Sequence, residues 1–126
     1  MTLPSPAAVL LHRPPALLLA GVAALDAESI RCRGVEAGPW PWPRMLEAAA
    51  QAAGLLVGTR PGGIGNRAVV AEYRDVVIHV ATDPGPVDVA AWLDRRVLGY
   101  WRCRFAAYAG DRLLLEGRVT LAAPVG

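Results

Sequence analysis

RMLEAAAQAAGLLV, residues 44–57, is the stretch from which the rest of the chain can be ordered. It holds almost nothing but strong helix formers, and Pro43 just before it suits the first helical position, where a missing amide hydrogen costs nothing. After Arg44 the only polar residues are Glu47 and Gln51, so the helix is apolar nearly all round. A helix lying on a surface keeps a polar face; one without it is wrapped by other structure, and its alanines suit the close approach of a sheet. The helix over 44–57 is therefore expected to be almost wholly buried against five or six antiparallel strands.

Working outward, GPWPWP at residues 38–43 is expected to be irregular, because alternate prolines remove donors and restrict their predecessors. Upstream, ESIRCRGV (28–35) alternates: Ile30, Cys32 and Gly34 point one way, Arg31 and Arg33 the other, as in a half-buried strand. Residues 16–25 begin the sheet, with a turn at Asp26-Ala27. Residues 1–8 read as a loose leader and 9–126 as one domain. Downstream, residues 60–66 form a loop, followed by strand-like segments near 68–81, 87–98, 100–109 and 113–122. In the third, Trp101, Cys103, Phe105 and Ala107 alternate with Tyr100, Arg102, Arg104 and Tyr108, and Ala109-Gly110-Asp111-Arg112 turns the chain into the fourth. Asp83-Pro84-Gly85-Pro86 breaks the chain before the second. One helix followed by a meander of strands is an α+β arrangement.

Composition narrows the function classes. At 126 residues the chain suits one domain with a real core, and an apolar fraction of 54% excludes disorder. A formal charge of +2 is too small to suggest nucleic acid, although thirteen basic residues, all arginine, can form a local patch for an acidic partner. Cys32 and Cys103 lack the spacing of a metal site and read as buried apolar residues of a reducing compartment. The apolar run at 16–25 is about half of a membrane span, and the uncharged start lacks the cationic segment of a signal peptide, so a cytoplasmic, non-membrane protein is expected. Gly62-Gly63-Ile64-Gly65 leaves a helix instead of opening one and is no phosphate cradle.

The order of these segments resembles that of a known family. His12-Arg13-Pro14-Pro15-Ala16-Leu17-Leu18-Leu19 resembles the opening motif of the small 3-hydroxyacyl-(acyl-carrier-protein) dehydratases of fatty-acid synthesis. LEAAAQAAG (46–54) is similar to their central helix, which carries a Glu followed four residues later by Gln. YWRCRF (100–105), GDRL (110–113) and EGRV (116–119) are similar to their closing hairpin. The reduced dehydratase-like proteins of aryl-polyene clusters, with an abbreviated loop before the helix, are more similar still. The resemblance implies a hot-dog fold, a long helix wrapped by a curved antiparallel sheet, assembled as a homodimer or as a heterodimer with a related chain. It implies no cofactor beyond the phosphopantetheine arm of an acyl carrier protein that brings the substrate.

One departure matters. The family's loop before the helix carries a His in a His-Phe-Pro-Gly context, whereas GVEAGPWPWPR (34–44) has none. Dehydration needs a base for the proton beside the thioester carbonyl and an acid for the departing hydroxyl. In the resembled family the His and Glu of one site come from different subunits. Glu47 matches that Glu, one turn into an apolar helix where burial would suit a carboxyl that delivers a proton; the plainer reading is a carboxylate bonded to a neighbouring loop. Gln51, one turn on, either positions substrate or satisfies buried backbone groups. Trp40 and Trp42 either line an acyl channel or fill the space of the shortened loop. Arg60 and Arg67 either meet the phosphopantetheine and its acidic carrier or are solvated. His12 reads as a structural turn residue, His79 as a core or sheet-face residue, and Glu36 as a remote substitute for the base. The expectation is a dehydratase subunit supplying Glu47 to a site completed by a His-bearing partner. The alternatives are a non-catalytic hot-dog partner that stabilises a true dehydratase, and an acyl thioesterase or thioester-binding protein.

Overall fold

The structure, a computed structural model, describes residues 3–6, 17–36, 38–60 and 68–123. Part of the expected leader, the start of the opening motif with His12 (residues 12–16), most of the loop after the helix and Arg67 lie outside the described residues. In chain order the elements are β1 (Leu19–Leu25), β2 (Ser29–Gly34), β3 (Trp40–Pro41), α1 (Trp42–Gly58), β4 (Val69–Ile78), β5 (Thr82–Asp83), β6 (Asp88–Val97), β7 (Tyr100–Ala109) and β8 (Arg112–Ala122). Six strands form one sheet in the order β1-β2-β6-β7-β8-β4, all described neighbours antiparallel, while β3 and β5 make a separate two-stranded ladder. α1 packs on the inner face of the large sheet, which is the α+β arrangement expected from the sequence.

The alternation read in the sequence is the alternation of the sheet. Ile30, Cys32 and Gly34 are buried while Arg31 and Arg33 are exposed; Trp101, Cys103, Phe105 and Ala107 are buried while Tyr100, Arg102 and Arg104 are not. These inward side chains meet Met45, Ala48, Ala49, Ala52, Leu55 and Leu56 of α1 in one core. Both cysteines are free and buried there, and desolvation pushes each thiol up to about 12, so neither is a reactive thiolate near neutral pH. At the first turn of the sheet, Asp26 accepts bonds from the amides of Glu28 and Ser29, at 2.8 and 2.9 Å, which also hold its carboxyl below the usual range. The last hairpin turns at Gly110, whose φ of 59° a side chain would resist.

Three expectations change. The helix is buried throughout from Ala48 to Val57, but Trp42, Pro43 and Glu47 in its first turns are exposed. It starts at Trp42, with Pro43 second, still within the first turn whose amides need no intrahelical partner. The proline-rich stretch is not wholly irregular: Trp40 and Pro41 pair with Asp83 and Thr82, and the Trp42 amide donates to the Ala81 carbonyl at 2.8 Å. The donors flanking Pro41 suffice for so short a ladder, so its missing hydrogen is no obstacle. Finally, the segment near 68–81 splits, β4 ending at Ile78 and Thr82–Asp83 crossing to β3.

Among the described residues β4 pairs with β8 on one side only, over ten residues that are mostly exposed, Val69, Val70, Val77 and Ile78 among them. Its register shifts between Arg74 and Val77, where Asp75 has a φ of 53°. This bulge sits against Gly117, where a Cβ would come 2.8 Å from the Phe105 ring and 3.1 Å from the Val76 backbone.

Candidate functional site

Glu47 leaves the helix two residues after Met45 enters the core, at the end of α1 that the sheet leaves open. The burial expected for its carboxyl is not supplied by the described residues: Glu47 is exposed, between buried Met45 and the stretch buried continuously from Ala48. One turn on, Gln51 is only 2% exposed. Its Oε1 accepts the Leu18 amide at 2.8 Å, which satisfies a buried backbone donor and fixes the orientation of the side-chain amide. Nε2 is thereby turned toward Glu47 and donates to its Oε1 at 3.4 Å. Gln51 thus does what its structural reading required, and also helps hold the Glu47 carboxylate in place.

A third residue was not singled out in the sequence. Tyr73 of β4 is half-buried, its ring edge-on to Phe105 with centroids 6.4 Å apart. Burial, and then the negative charge of Glu47, push its phenol above the ordinary value. Glu47, held by Gln51, is thus felt electrostatically at Tyr73 on the edge strand. Nothing local marks Tyr73, since its inward direction depends on β8 pairing and on the bulge that follows it. Replacing Glu47 by Gln is expected to lower the Tyr73 titration midpoint while leaving it above an exposed tyrosine, because burial, the larger cause, remains. NMR of tyrosine-labelled protein, with Tyr73→Phe as the assignment control, reads this out; an unmoved midpoint would separate the two residues.

The other candidates lie elsewhere. Trp40 is 1% exposed, with Arg44 at 4.3 Å from its ring centroid and Gly34 and Gly85 against its indole, whereas Trp42 is 39% exposed. Trp40 and Glu36 line a depression of about 310 Å³ with Gly38, Pro84 and Pro86, and Glu47 is not among its lining residues. Arg60 donates to the Ala27 carbonyl and lies 6.0 Å from the Trp101 ring centroid, tying the helix end to the β1–β2 turn. His79 is exposed just past β4 and pairs with Glu116 of β8 at 2.7 Å, a sheet-face role.

No family model and no curated protein matches the sequence. Solved structures do match. A chain of the dehydratase heterocomplex ApeI:P from Xenorhabdus doucetiae superposes with a TM-score of 0.83 at 16% identity, over 98% of this chain and 93% of that one. The uncharacterized protein PH1136 from Pyrococcus horikoshii gives 0.73 at 12% identity, over 100% and 97%. An HP0420 homologue from Helicobacter felis gives 0.67 at 11% identity, over 94% and 99%. Helix, sheet order and these superpositions together make the chain a hot-dog domain.

Proposed function

We propose that this chain is one subunit of a heteromeric 3-hydroxyacyl-(acyl-carrier-protein) dehydratase, contributing Glu47 to a site that a His-bearing hot-dog partner completes. The observation that carries the reading is the placement of Glu47: exposed, oriented by a buried Gln51, and linked electrostatically to Tyr73 of β4, an edge strand whose other side is unpaired among the described residues. An open edge bearing Val69, Val70, Val77 and Ile78 is suited to pairing with another chain, which would also bury the first turns of α1. The heterocomplex neighbour supports the same assembly at the level of fold.

In this reading the partner's imidazole takes the proton beside the thioester carbonyl, the electrons form the new double bond, and the hydroxyl leaves as water with a proton from Glu47. The exposed Trp42 would border the acyl chain, and Arg60 and Arg67 would meet the phosphopantetheine and its acidic carrier, while the enclosed Trp40 and the committed Gln51 would act only as framework. A second reading, a partner that only stabilises a His-bearing dehydratase, is favoured by Gln51 being committed to the Leu18 backbone.

Alone, the chain is expected to give no more than a trace of dehydration on a carrier-bound 3-hydroxyacyl substrate. Mixed with a His-bearing hot-dog chain it should elute as a defined heteromer in light scattering and turn over, followed by mass spectrometry. Full activity of the unpartnered chain would overturn the proposal, as would failure to associate with any hot-dog chain.

A further inference from the structure

The outward face of the sheet carries a cluster of arginines that the proposed dehydration does not use. β6 and β7 place Arg95 directly opposite Arg102; β8 places Arg118 opposite both Arg104 on β7 and Arg74 on β4. Like charges directly opposite one another destabilise a sheet, so three such pairs side by side oppose folding unless something anionic lies over them. Carboxylates answer only part of this charge. Glu72 is 3.0 Å from Arg74, and Asp94 and Asp75 are 3.6 and 3.9 Å from Arg118. Arg95 and Arg102 have no carboxylate at ion-pair distance among the described residues.

These side chains ring a hollow of about 110 Å³, bounded by Arg74, Arg95, Arg102, Arg118, Asp94 and Thr120. That is room for roughly three or four waters, or for one tetrahedral oxyanion with little water. Thr120 sits in the outward set of β8, between inward Val119 and Leu121, yet is only 9% exposed. Its hydroxyl has no hydrogen-bond partner among the described residues. A nine-tenths-buried, unpartnered donor below four guanidinium groups and a single carboxylate is what an oxyanion would satisfy.

We propose that this hollow binds one phosphate group, held by Arg95 and Arg102 with Arg74 and Arg118 at its rim and the Thr120 hydroxyl at its floor. Guanidinium groups offer planar pairs of donors that match phosphate oxygens, and the concave shape favours one group over an extended polyanion. The phosphate is either free in solution or the ester group of a larger organic molecule.

The full chain, in phosphate-free buffer, would be titrated with inorganic phosphate and separately with adenosine monophosphate, against chloride at equal ionic strength. Calorimetry and thermal unfolding are the readouts. Saturable binding and a rise in Tm beyond chloride are expected. Arg95→Gln and Arg102→Gln should each weaken binding about tenfold or more, since a hydrogen bond to a charged group is lost. Without phosphate, both variants should be as stable as the parent or more so, because a like-charge pair is gone; a purely structural role for these arginines predicts the reverse. Equal affinity for the two probes would identify free phosphate as the ligand, and much tighter adenosine monophosphate an ester. Phosphate acting no differently from chloride, or affinity unchanged in both variants, would overturn the proposal.

Discussion

Glu47→Gln in the two-chain species is expected to lower turnover about 10²–10⁴-fold, the usual contribution of a positioned proton donor or acceptor. The substitution is close to isosteric and can still accept the Gln51 Nε2 hydrogen bond that holds the carboxylate at 3.4 Å. It cannot deliver a proton, so it separates chemistry from positioning and assembly. Because Glu47 is exposed in the single chain, the change should leave the fold nearly untouched; circular dichroism and light scattering of the mixture should match the parent. The decisive quantity is kcat for product formation on a carrier-bound 3-hydroxyacyl substrate. Unchanged turnover with assembly intact would leave this chain a scaffold for a partner that holds both groups. A rise in KM alone would make Glu47 a binding group with no part in the proton transfer.

Much of the fold was legible because it repeats locally. The period of two in Ile30, Cys32 and Gly34, and again in Trp101, Cys103 and Phe105, needs no knowledge of the partner strands, because pleat geometry alone sends those side chains inward. The apolar circumference of α1 likewise reports wrapping from all sides, and it does so from Ala48 onward. What was not legible depends on pairings between distant segments. The β3–β5 ladder joins Trp40 to Asp83, and two residues carry no period to detect. The electrostatic link from Glu47 to Tyr73 depends on β4 docking beside β8, with a bulge after Arg74. Glu47 looked buried in a run of alanines, but it is exposed, and the helix is buried without interruption only from Ala48 onward. That exposure is what the proposed heteromer requires, in which a partner would both cover Glu47 and supply the base.

Trp40→Ala should be the most destabilising single change in the loop before α1, by about 3–5 kcal/mol, the range for deleting a large buried aromatic. Domains of this size have about 5–15 kcal/mol in total, so urea unfolding followed by circular dichroism should show a much lower midpoint. The reason is the way Trp40 is enclosed. Arg44 covers one face at 4.3 Å, and the Arg44 Nη1 also donates to the Pro39 carbonyl at 3.1 Å, closing the loop over the ring. At Gly34 a Cβ would lie 2.7 Å from Trp40 Cζ2 and 2.6 Å from the Val87 carbonyl oxygen, so the indole occupies space that only glycine leaves. Gly34→Ala should therefore be costly by itself, and less costly in the Trp40→Ala background, where one of the two clashes is gone. The Val87 carbonyl is backbone and cannot yield cheaply, so relief should be partial and the coupling between the two positions clearly different from zero. Additive costs would mean that the loop relaxes around the ring instead of being held by it. Coupled costs would make Trp40 a wedge between β2 and the β5–β6 connection, which fixes the path of the loop into α1.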